Sequence, residues 1–181
     1  MSDAPLPDAA QVEPLYDASA LAARVAELGR SIGSDLAGED PLLLALLGGS
    51  VIFLADLVRA IELPLRFEFV TVGASGVHGG EAAILDLQYP IPVEIQGQNV
   101  LVVKDVVASG IVESYLQQQL ESRGAARVRF AALIDLPDER KIDLEVHYRA
   151  FTSHRAGPLV GYGLKHHGRF GNLPWVGRLK E

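Results

Sequence analysis

Apolar residues recur at three- and four-residue intervals in several stretches of the chain, which is the spacing of one face of an α-helix. In the first stretch they run from Leu21 to Ile32; Asp17 or Ser19 can cap the amino end, and Gly38 can close the carboxyl end. The pattern predicts three helices, over Leu21 to Ile32, Val51 to Ile61 and Ile111 to Ser122.

Shorter apolar stretches between the helices predict strands. Leu42 to Leu47 is apolar without interruption, which is typical of a strand buried on both faces of a parallel sheet. The predicted strands cover Leu42 to Leu47, Leu65 to Val72, Ala83 to Leu87, Val100 to Val103, Val128 to Ile134 and Leu144 to Tyr148. Strands that alternate with helices indicate an α/β fold with a mostly parallel sheet flanked by helices. The glycine-rich segment from Gly157 onward predicts a small appended lobe.

Composition narrows the class of protein. The 181 residues have a net charge of −7, which argues against nucleic acid as a partner because such binding needs a basic face. The absence of cysteine excludes disulfides and thiolate chemistry. The most apolar stretch, Pro41 to Ala55, is shorter than the ~20 residues that span a bilayer. We therefore expect a soluble, cytoplasmic protein with no membrane partner, made of a flexible arm over residues 1–12 and a single domain over residues 13–181.

Ligands of open α/β sheets bind beyond the carboxyl ends of the strands. Three segments should converge there: Leu47 to Ser50, Lys104 to Gly110 and Ile134 to Pro137. In the second segment small residues and a glycine lead directly into a predicted helix. Their backbone N–H groups and the Ser109 hydroxyl can hold a phosphate. The alternative is an ordinary strand-to-helix turn with a capping serine.

The segments together resemble a known family. The stretch VLVVKDVVASG, from Val100 to Gly110, is similar to the diphosphate-sugar motif of type I phosphoribosyltransferases. The segments ARVAELGRSI, GGSVIFLADLVRAI, ALIDLPDERK and VGYGLKHHGRFGNLPWVG resemble the hypoxanthine-guanine branch in the same order. The resemblance implies a parallel sheet, a hood lobe built from the terminal segments, and homodimers or homotetramers. It also implies a reaction that exchanges the diphosphate of phosphoribosyl diphosphate for a purine, with Mg²⁺.

The resemblance also implies roles for particular residues. Asp105 would contact the ribose. The positions for phosphate and ribose are Lys104, Asp105, Val106, Val107, Ala108, Ser109, Gly110 and Ile111. The positions on the diphosphate side are Gly48, Gly49, Lys165 and Arg169. The positions of the base pocket are Leu136, Pro158 and Leu159.

Several of these positions depart from the family pattern. Ala108 stands where the family has the acid that exchanges a proton with the purine, and Leu136 stands where a lysine donates to the purine oxygen. Pro158 replaces a stacking aromatic ring. Lys104 replaces one of two adjacent acids, and Lys165 replaces the metal-binding aspartate. We therefore expect no evident catalytic acid or base.

The two lysines carry a further hypothesis. Lys104 and Lys165 would supply the positive charge that Mg²⁺ otherwise provides, giving an anion site that needs no metal; the alternative is that both reach into solvent. The sequence thus predicts an altered or inactive purine phosphoribosyltransferase that binds phosphoribosyl diphosphate or a nucleotide. The open alternatives are a non-catalytic nucleotide- or phosphate-binding paralogue and a partner subunit of an active homologue.

Other charged residues are predicted to be ordinary surface groups. Glu113 and Glu121 lie on the third helix and are expected to face water. The charged run Asp138 to Lys141 is expected to form a solvated turn. His166 and His167 are adjacent, which points their rings apart, so a shared metal is not expected.

Overall fold

The computed structural model describes residues 11–75, 84–88, 93–154 and 157–180. Within these ranges the chain forms three helices, α1 (Ala18–Asp35), α2 (Ser50–Ala60) and α3 (Ile111–Ser122). The strands are β1 (Val12–Tyr16), β2 (Leu42–Leu46), β3 (Arg66–Ser75), β4 (Ile84–Gln88), β5 (Asn99–Val107), β6 (Arg127–Asp135), β7 (Tyr148–Thr152), β8 (Leu159–Val160) and β9 (Val176–Leu179). A short 3₁₀ turn covers Pro137–Glu139.

The main sheet has six strands in the order β4-β3-β2-β5-β6-β7. Five of them are parallel, and β4 pairs with β3 in the antiparallel sense at one edge. The prediction of a mostly parallel sheet flanked by helices is confirmed. The order places β2 and β5 side by side in the middle of the sheet, so their carboxyl ends form the centre of its functional edge.

The helix boundaries follow local chemistry. Asp17 caps α1, because its Oδ1 accepts a hydrogen bond of 2.7 Å from the amide of Ala20. The chain turns after α1 at Gly38, whose φ of +83° favours glycine. Every residue of β2 is buried, as its uninterrupted apolar sequence predicts.

The core lies on both faces of the sheet. Successive side chains of a strand point to opposite faces, so Leu101 and Val103 of β5 pack with α1 and α2, whereas Val100 and Val102 pack with α3. Lys104 therefore continues the α3 face and Asp105 the α2 face. This alternation decides which helix each of the two charged residues meets.

Within the described residues, the appended lobe is a three-stranded sheet in the order β1-β9-β8, with strands from both terminal segments. A small apolar cluster of Val12, Val160 and Leu179 stabilises it. Residues 1–10 of the predicted arm lie outside the described residues, and Val12 is the first residue of β1.

One strand prediction is wrong. The alternating residues Leu144 to Tyr148 form no strand except at their last residue, since β7 begins at Tyr148, which aligns with Ala131 of β6. Val146 and Leu144 are instead packed against Val107 in a small apolar cluster. Their alternation therefore reflects contact with the core by an extended segment that does not pair with the sheet.

Among the described residues, none of the helices has the length and apolar character needed to cross a lipid bilayer. Part of the predicted connection from Tyr89 to Gln98 lies outside the described residues, and residues 93–98 contain no strand.

Candidate functional site

A cleft of about 250 Å³ opens where β2 and β5 end. Its lining residues come from β2 and the loop after it, from β3, from β5 and from the first turn of α3: Leu46, Leu47, Gly49, Val72, Lys104, Asp105 and Val112. Two of the predicted segments, Leu47 to Ser50 and Lys104 to Gly110, thus meet at one site, as their places at the ends of neighbouring parallel strands require.

The Asp105 carboxylate is held at the floor of this cleft. Its Oδ1 accepts a hydrogen bond of 2.8 Å from the amide of Val106 and lies 3.4 Å from Nζ of Lys104. Its other oxygen lies against Gly49, where a Cβ would collide with it. The side chains of Lys104 and Asp105 are 21% and 20% exposed, so both charges are accessible from the cleft.

The turn from Ala108 to Gly110 joins β5 to α3. Gly110 has a φ of +80°, which favours glycine, and is the N-cap residue that precedes α3. The Ser109 hydroxyl accepts a long hydrogen bond of 3.4 Å from the amide of Ile111. Within the described part of the chain, the amides of Ala108, Ser109 and Gly110 donate to no protein acceptor.

The carbonyl groups of this turn are tied to the segment after β6. The Ala108 carbonyl accepts a hydrogen bond of 2.8 Å from Nη1 of Arg140. The Ser109 carbonyl accepts from the amides of Lys141 and Ile142 at 3.0 and 3.3 Å. Because the C=O and N–H of a trans peptide point in opposite directions, the amides of Ser109 and Gly110 are turned away from this segment. They form a small cluster of free donors at the amino end of a helix.

Arg140 holds the turn after β5 in place, a role that the sequence analysis does not assign to it. The run Asp138 to Lys141 was expected to be a solvated turn, but Nη2 of Arg140 donates to Oδ1 of Asp135 while Nη1 holds the turn. Asp135 is 2% exposed, and its Oδ2 lies 3.3 Å from Nη1 of Arg149. A carboxylate at the end of a buried strand was the available signal, since such a group requires a cationic partner, and Arg140 follows five residues later.

The prediction that Glu113 faces water is wrong. Glu113 is 3% exposed and lies in the buried stripe of α3 with Leu116 and Leu120. Burial raises the pKa of its carboxyl above the ordinary value, an effect opposed by the positive charges of Lys104 and Arg140. The spacing of three residues to Leu116 and seven to Leu120 was the signal that could have placed it inside.

The appended lobe packs against the loop after β2. Gly163 lies directly against the Gly49 carbonyl, and the hydroxyl of Tyr162 donates to Oδ2 of Asp56 on α2. These contacts bring the segment that carries Lys165 and Arg169 beside the functional edge. Both of these side chains are exposed.

The three positions predicted for the base pocket differ in their exposure. Leu136 is buried in the large core cluster, Pro158 is exposed, and Leu159 packs partly against the same core. None of the three lines the cleft. Gly48, which precedes the cleft residue Gly49, is exposed and has a φ of +146°.

The donor set does not fit a magnesium ion held by this chain. Mg²⁺ prefers oxygen ligands, whereas Lys165 offers an ammonium group, which has no lone pair. Across the described ranges, no three acidic or histidine side chains gather closely enough to hold a metal. The rings of His166 and His167 lie 4.1 Å apart at an interplanar angle of 74°.

Comparison with known proteins identifies the family. Residues 11–165 match the family model of the phosphoribosyl transferase domain. Over 171 residues the chain is 37% identical to the hypoxanthine-guanine phosphoribosyltransferase of Mycobacterium avium, covering 91% of this chain and 84% of that protein. It is 35% identical over 157 residues to the enzyme of the same name from Streptococcus pneumoniae, covering 86% of each.

Solved structures agree. The crystal structure of a hypoxanthine-guanine phosphoribosyltransferase from Bacillus anthracis superposes with a TM-score of 0.83 at 30% identity, covering 92% of this chain and 97% of that one. The hypoxanthine phosphoribosyltransferase of Staphylococcus aureus gives a TM-score of 0.85 at 28% identity, covering 94% and 93%. The chain therefore belongs to the phosphoribosyltransferase family, and it resembles the hypoxanthine-guanine branch.

Proposed function

We propose that this protein binds a phosphorylated ribose, as phosphoribosyl diphosphate or as a nucleotide, at the carboxyl edge of the sheet, and that it transfers purines slowly or not at all. The observation that carries the proposal is the turn after β5, where the amides of Ser109 and Gly110 have no acceptor among the described residues and which follows Asp105 at the same edge of the sheet. This pairing supplies donors for a phosphate and an acceptor for sugar hydroxyls at one edge.

The turn is suited to the 5′-phosphate. The amides of Ser109 and Gly110 are free donors, the Ser109 hydroxyl adds another, and the amino end of α3 adds the positive end of the helix dipole. Arg140 fixes the turn from behind, so little reorganisation is needed when an anion arrives.

The cleft is suited to the ribose and its anionic substituent. Asp105 has an accessible carboxylate that can accept hydrogen bonds from sugar hydroxyls. The ammonium group of Lys104 lies 3.4 Å from the Asp105 carboxylate. A diphosphate bound there would otherwise need a metal ion to compensate its negative charge. We infer that Lys104, with the exposed Lys165 of the appended lobe, makes anion binding independent of Mg²⁺.

Purine transfer is expected to be impaired for two reasons. Ala108 has no titratable group, and a positioned acid or base contributes ~10²–10⁴-fold to a rate. Leu136 is buried in the core and cannot donate to a purine oxygen. Neither loss affects the turn that holds the phosphate, so binding and turnover are separable in this chain.

Calorimetric titration with ribose 5-phosphate and with phosphoribosyl diphosphate tests the binding, each with and without Mg²⁺. We expect the same affinity in both conditions and about a tenfold loss in Ser109→Ala, the value of a hydrogen bond to a charged group. Ser122→Ala, at the far end of α3, is the matched control and should bind normally. Strict dependence on Mg²⁺ would contradict the metal-independent site.

A coupled assay tests the second half of the proposal. Hypoxanthine, guanine, xanthine and adenine are offered with phosphoribosyl diphosphate, and nucleotide formation is followed. We expect turnover far below the ~1–10³ s⁻¹ that is usual for enzymes.

By the family resemblance we also expect a homodimer or homotetramer located in the cytoplasm.

A further inference from the structure

Glu113 is a buried carboxyl group at the amino end of α3, a position that the proposed function leaves unexplained. It is the third residue after Gly110, about 4.5 Å along the helix axis at 1.5 Å per residue. Side chains of a helix tilt toward its amino end, so the carboxyl is directed toward the turn and the end of β5. Its burial in the same stripe as Leu116 and Leu120 fixes it on the sheet side.

Few charges surround this carboxyl among the described residues. Lys104 faces it from β5 and Arg140 from the segment after β6, and the more distant carboxylate of Asp105, on the other face of β5, adds negative charge. Lys104 is paired with Asp105, and Arg140 with Asp135. No described basic side chain forms an ion pair with Glu113 itself. Its negative charge is therefore only partly compensated.

An anionic Glu113 and a bound phosphate would compete for the same positive end of the helix. Both are stabilised by the amino-terminal dipole. The Glu113 side chain is only 3% exposed, so water screens its repulsion from a nearby anion less than it would at the surface. A phosphate dianion at the turn thus raises the free energy of the ionised carboxyl. The repulsion is removed if the carboxyl becomes neutral.

We infer that phosphate binding at the Ser109 turn draws one proton from solvent onto Glu113, so that Glu113 sets the pH range in which this site is occupied. The inference rests on the proposed function, because it needs the phosphate to bind at that turn. It goes beyond it by making the site a proton-linked one. Burial, which already raises the pKa of Glu113 in the free protein, acts in the same direction.

The linkage has a definite sign. Bound phosphate raises the pKa of Glu113 further above that of an ordinary glutamate, about 4.3. Glu113 is therefore neutral over a wider range of pH in the bound protein than in the free protein. As the pH rises through this range, Glu113 ionises and lowers the affinity of the turn for phosphate. Above this range its effect on the affinity is constant. The phosphate ester itself titrates near pH 6 and would mask the effect in the wild type alone.

The test compares ribose 5-phosphate binding by the wild type, Glu113→Gln and Glu121→Gln between about pH 5 and pH 8. Glutamine is uncharged and nearly isosteric with glutamate. Glu121 is an exposed glutamate on the same helix, so Glu121→Gln is the matched control. We expect Glu113→Gln to bind about tenfold more tightly than the wild type at pH 8. The ratio should approach one at the acid end, with Glu121→Gln equal to the wild type throughout.

Calorimetry in buffers of different ionisation enthalpy gives a second measurement on the wild type itself. If the wild type takes up more protons than Glu113→Gln when ribose 5-phosphate binds, the inference is supported. A ratio that does not change with pH, or weaker binding by Glu113→Gln, would overturn it while leaving the proposed function standing. Absence of binding by all three proteins at every pH would overturn the proposed function, and the inference with it.

Discussion

The carboxylate of Asp105 lies directly against Gly49, so that the ends of β5 and β2 touch through a side chain and a glycine without a Cβ. A Cβ at Gly49 would be 3.1 Å from Cγ of Asp105 and closer still to Oδ2. Gly49 has a φ of −68°, a value open to any residue, so the glycine is required here for space and not for backbone conformation.

The first prediction follows from this contact. Gly49→Ala should leave the backbone unstrained but displace the Asp105 carboxylate from the floor of the cleft. We expect at least a tenfold loss of affinity for ribose 5-phosphate, measured by calorimetry, consistent with a lost hydrogen bond to a charged group. In Gly33→Ala, where a Cβ would meet its neighbours at 3.7 Å or more, affinity should not change. Equal affinities in Gly49→Ala and the wild type would mean that Asp105 does not contact the ligand.

The second prediction concerns Arg140. Arg140→Ala leaves Asp135 buried with only the half-exposed Arg149 as a partner, and it frees the Ala108 carbonyl. Removal of one member of a buried pair typically costs about 3 kcal/mol. We expect Arg140→Ala to show this loss in the free energy of unfolding by urea. We also expect it to bind ribose 5-phosphate more weakly in calorimetry.

Arg149→Ala is the control for that experiment. Its guanidinium is 48% exposed and does not touch the turn, so a loss of about 1 kcal/mol or less is expected, with normal binding. If the two variants were equally stable and bound phosphate equally well, the turn would not depend on Arg140.

Much of the fold could be predicted from the sequence because burial in a parallel sheet leaves a strong pattern. The uninterrupted apolar run of β2 is one case, and the boundaries of α3, Ile111 to Ser122, are another. The strand predicted from Leu144 to Tyr148 failed because alternation records which side chains are buried and not which backbone groups pair.

The site was less predictable than the fold. The turn with Ser109 and the neighbouring Asp105 follow from local sequence and from the resemblance to a known family. Arg140 and Glu113 could not be assigned, since each owes its role to a tertiary contact: Arg140 bridges Asp135 and the turn, and Glu113 is covered by the sheet. The spacing of Glu113 to the apolar residues of α3 is a sign of its burial, but the charged groups that surround it, like the partners of Arg140, come from distant parts of the chain.

The third prediction uses the buried carboxyl of Glu113. Its raised pKa means that the folded state holds the proton more firmly than the unfolded state, so the ionised group destabilises the fold at neutral pH. Glu113→Leu should raise the free energy of unfolding by about 1–2 kcal/mol at pH 7.5. The gain should shrink as the pH falls toward about 4.3, the ordinary glutamate value. Glu121→Leu, on the exposed face, should stay within about 0.5 kcal/mol; a gain from Glu113→Leu that did not vary with pH would contradict the account.

The fourth prediction concerns the contact between the appended lobe and α2. Tyr162 donates a hydrogen bond to Asp56, and burial and this carboxylate both raise the pKa of the phenol. Tyr162→Phe should lower the free energy of unfolding by about 1.5 kcal/mol. Tyr115→Phe, where the hydroxyl forms no hydrogen bond with the described residues, should have little effect. Equal stability of the two variants would show that the Tyr162 hydroxyl does not fasten the lobe.

The most direct test of the account is a crystal structure of the protein soaked with ribose 5-phosphate in the absence of Mg²⁺. We predict the phosphate oxygens at about 3 Å from the amides of Ser109 and Gly110, with the sugar hydroxyls toward Asp105. A turn in which these amides are covered by other parts of the chain, or a phosphate bound elsewhere while this turn stays empty, would contradict the central claim.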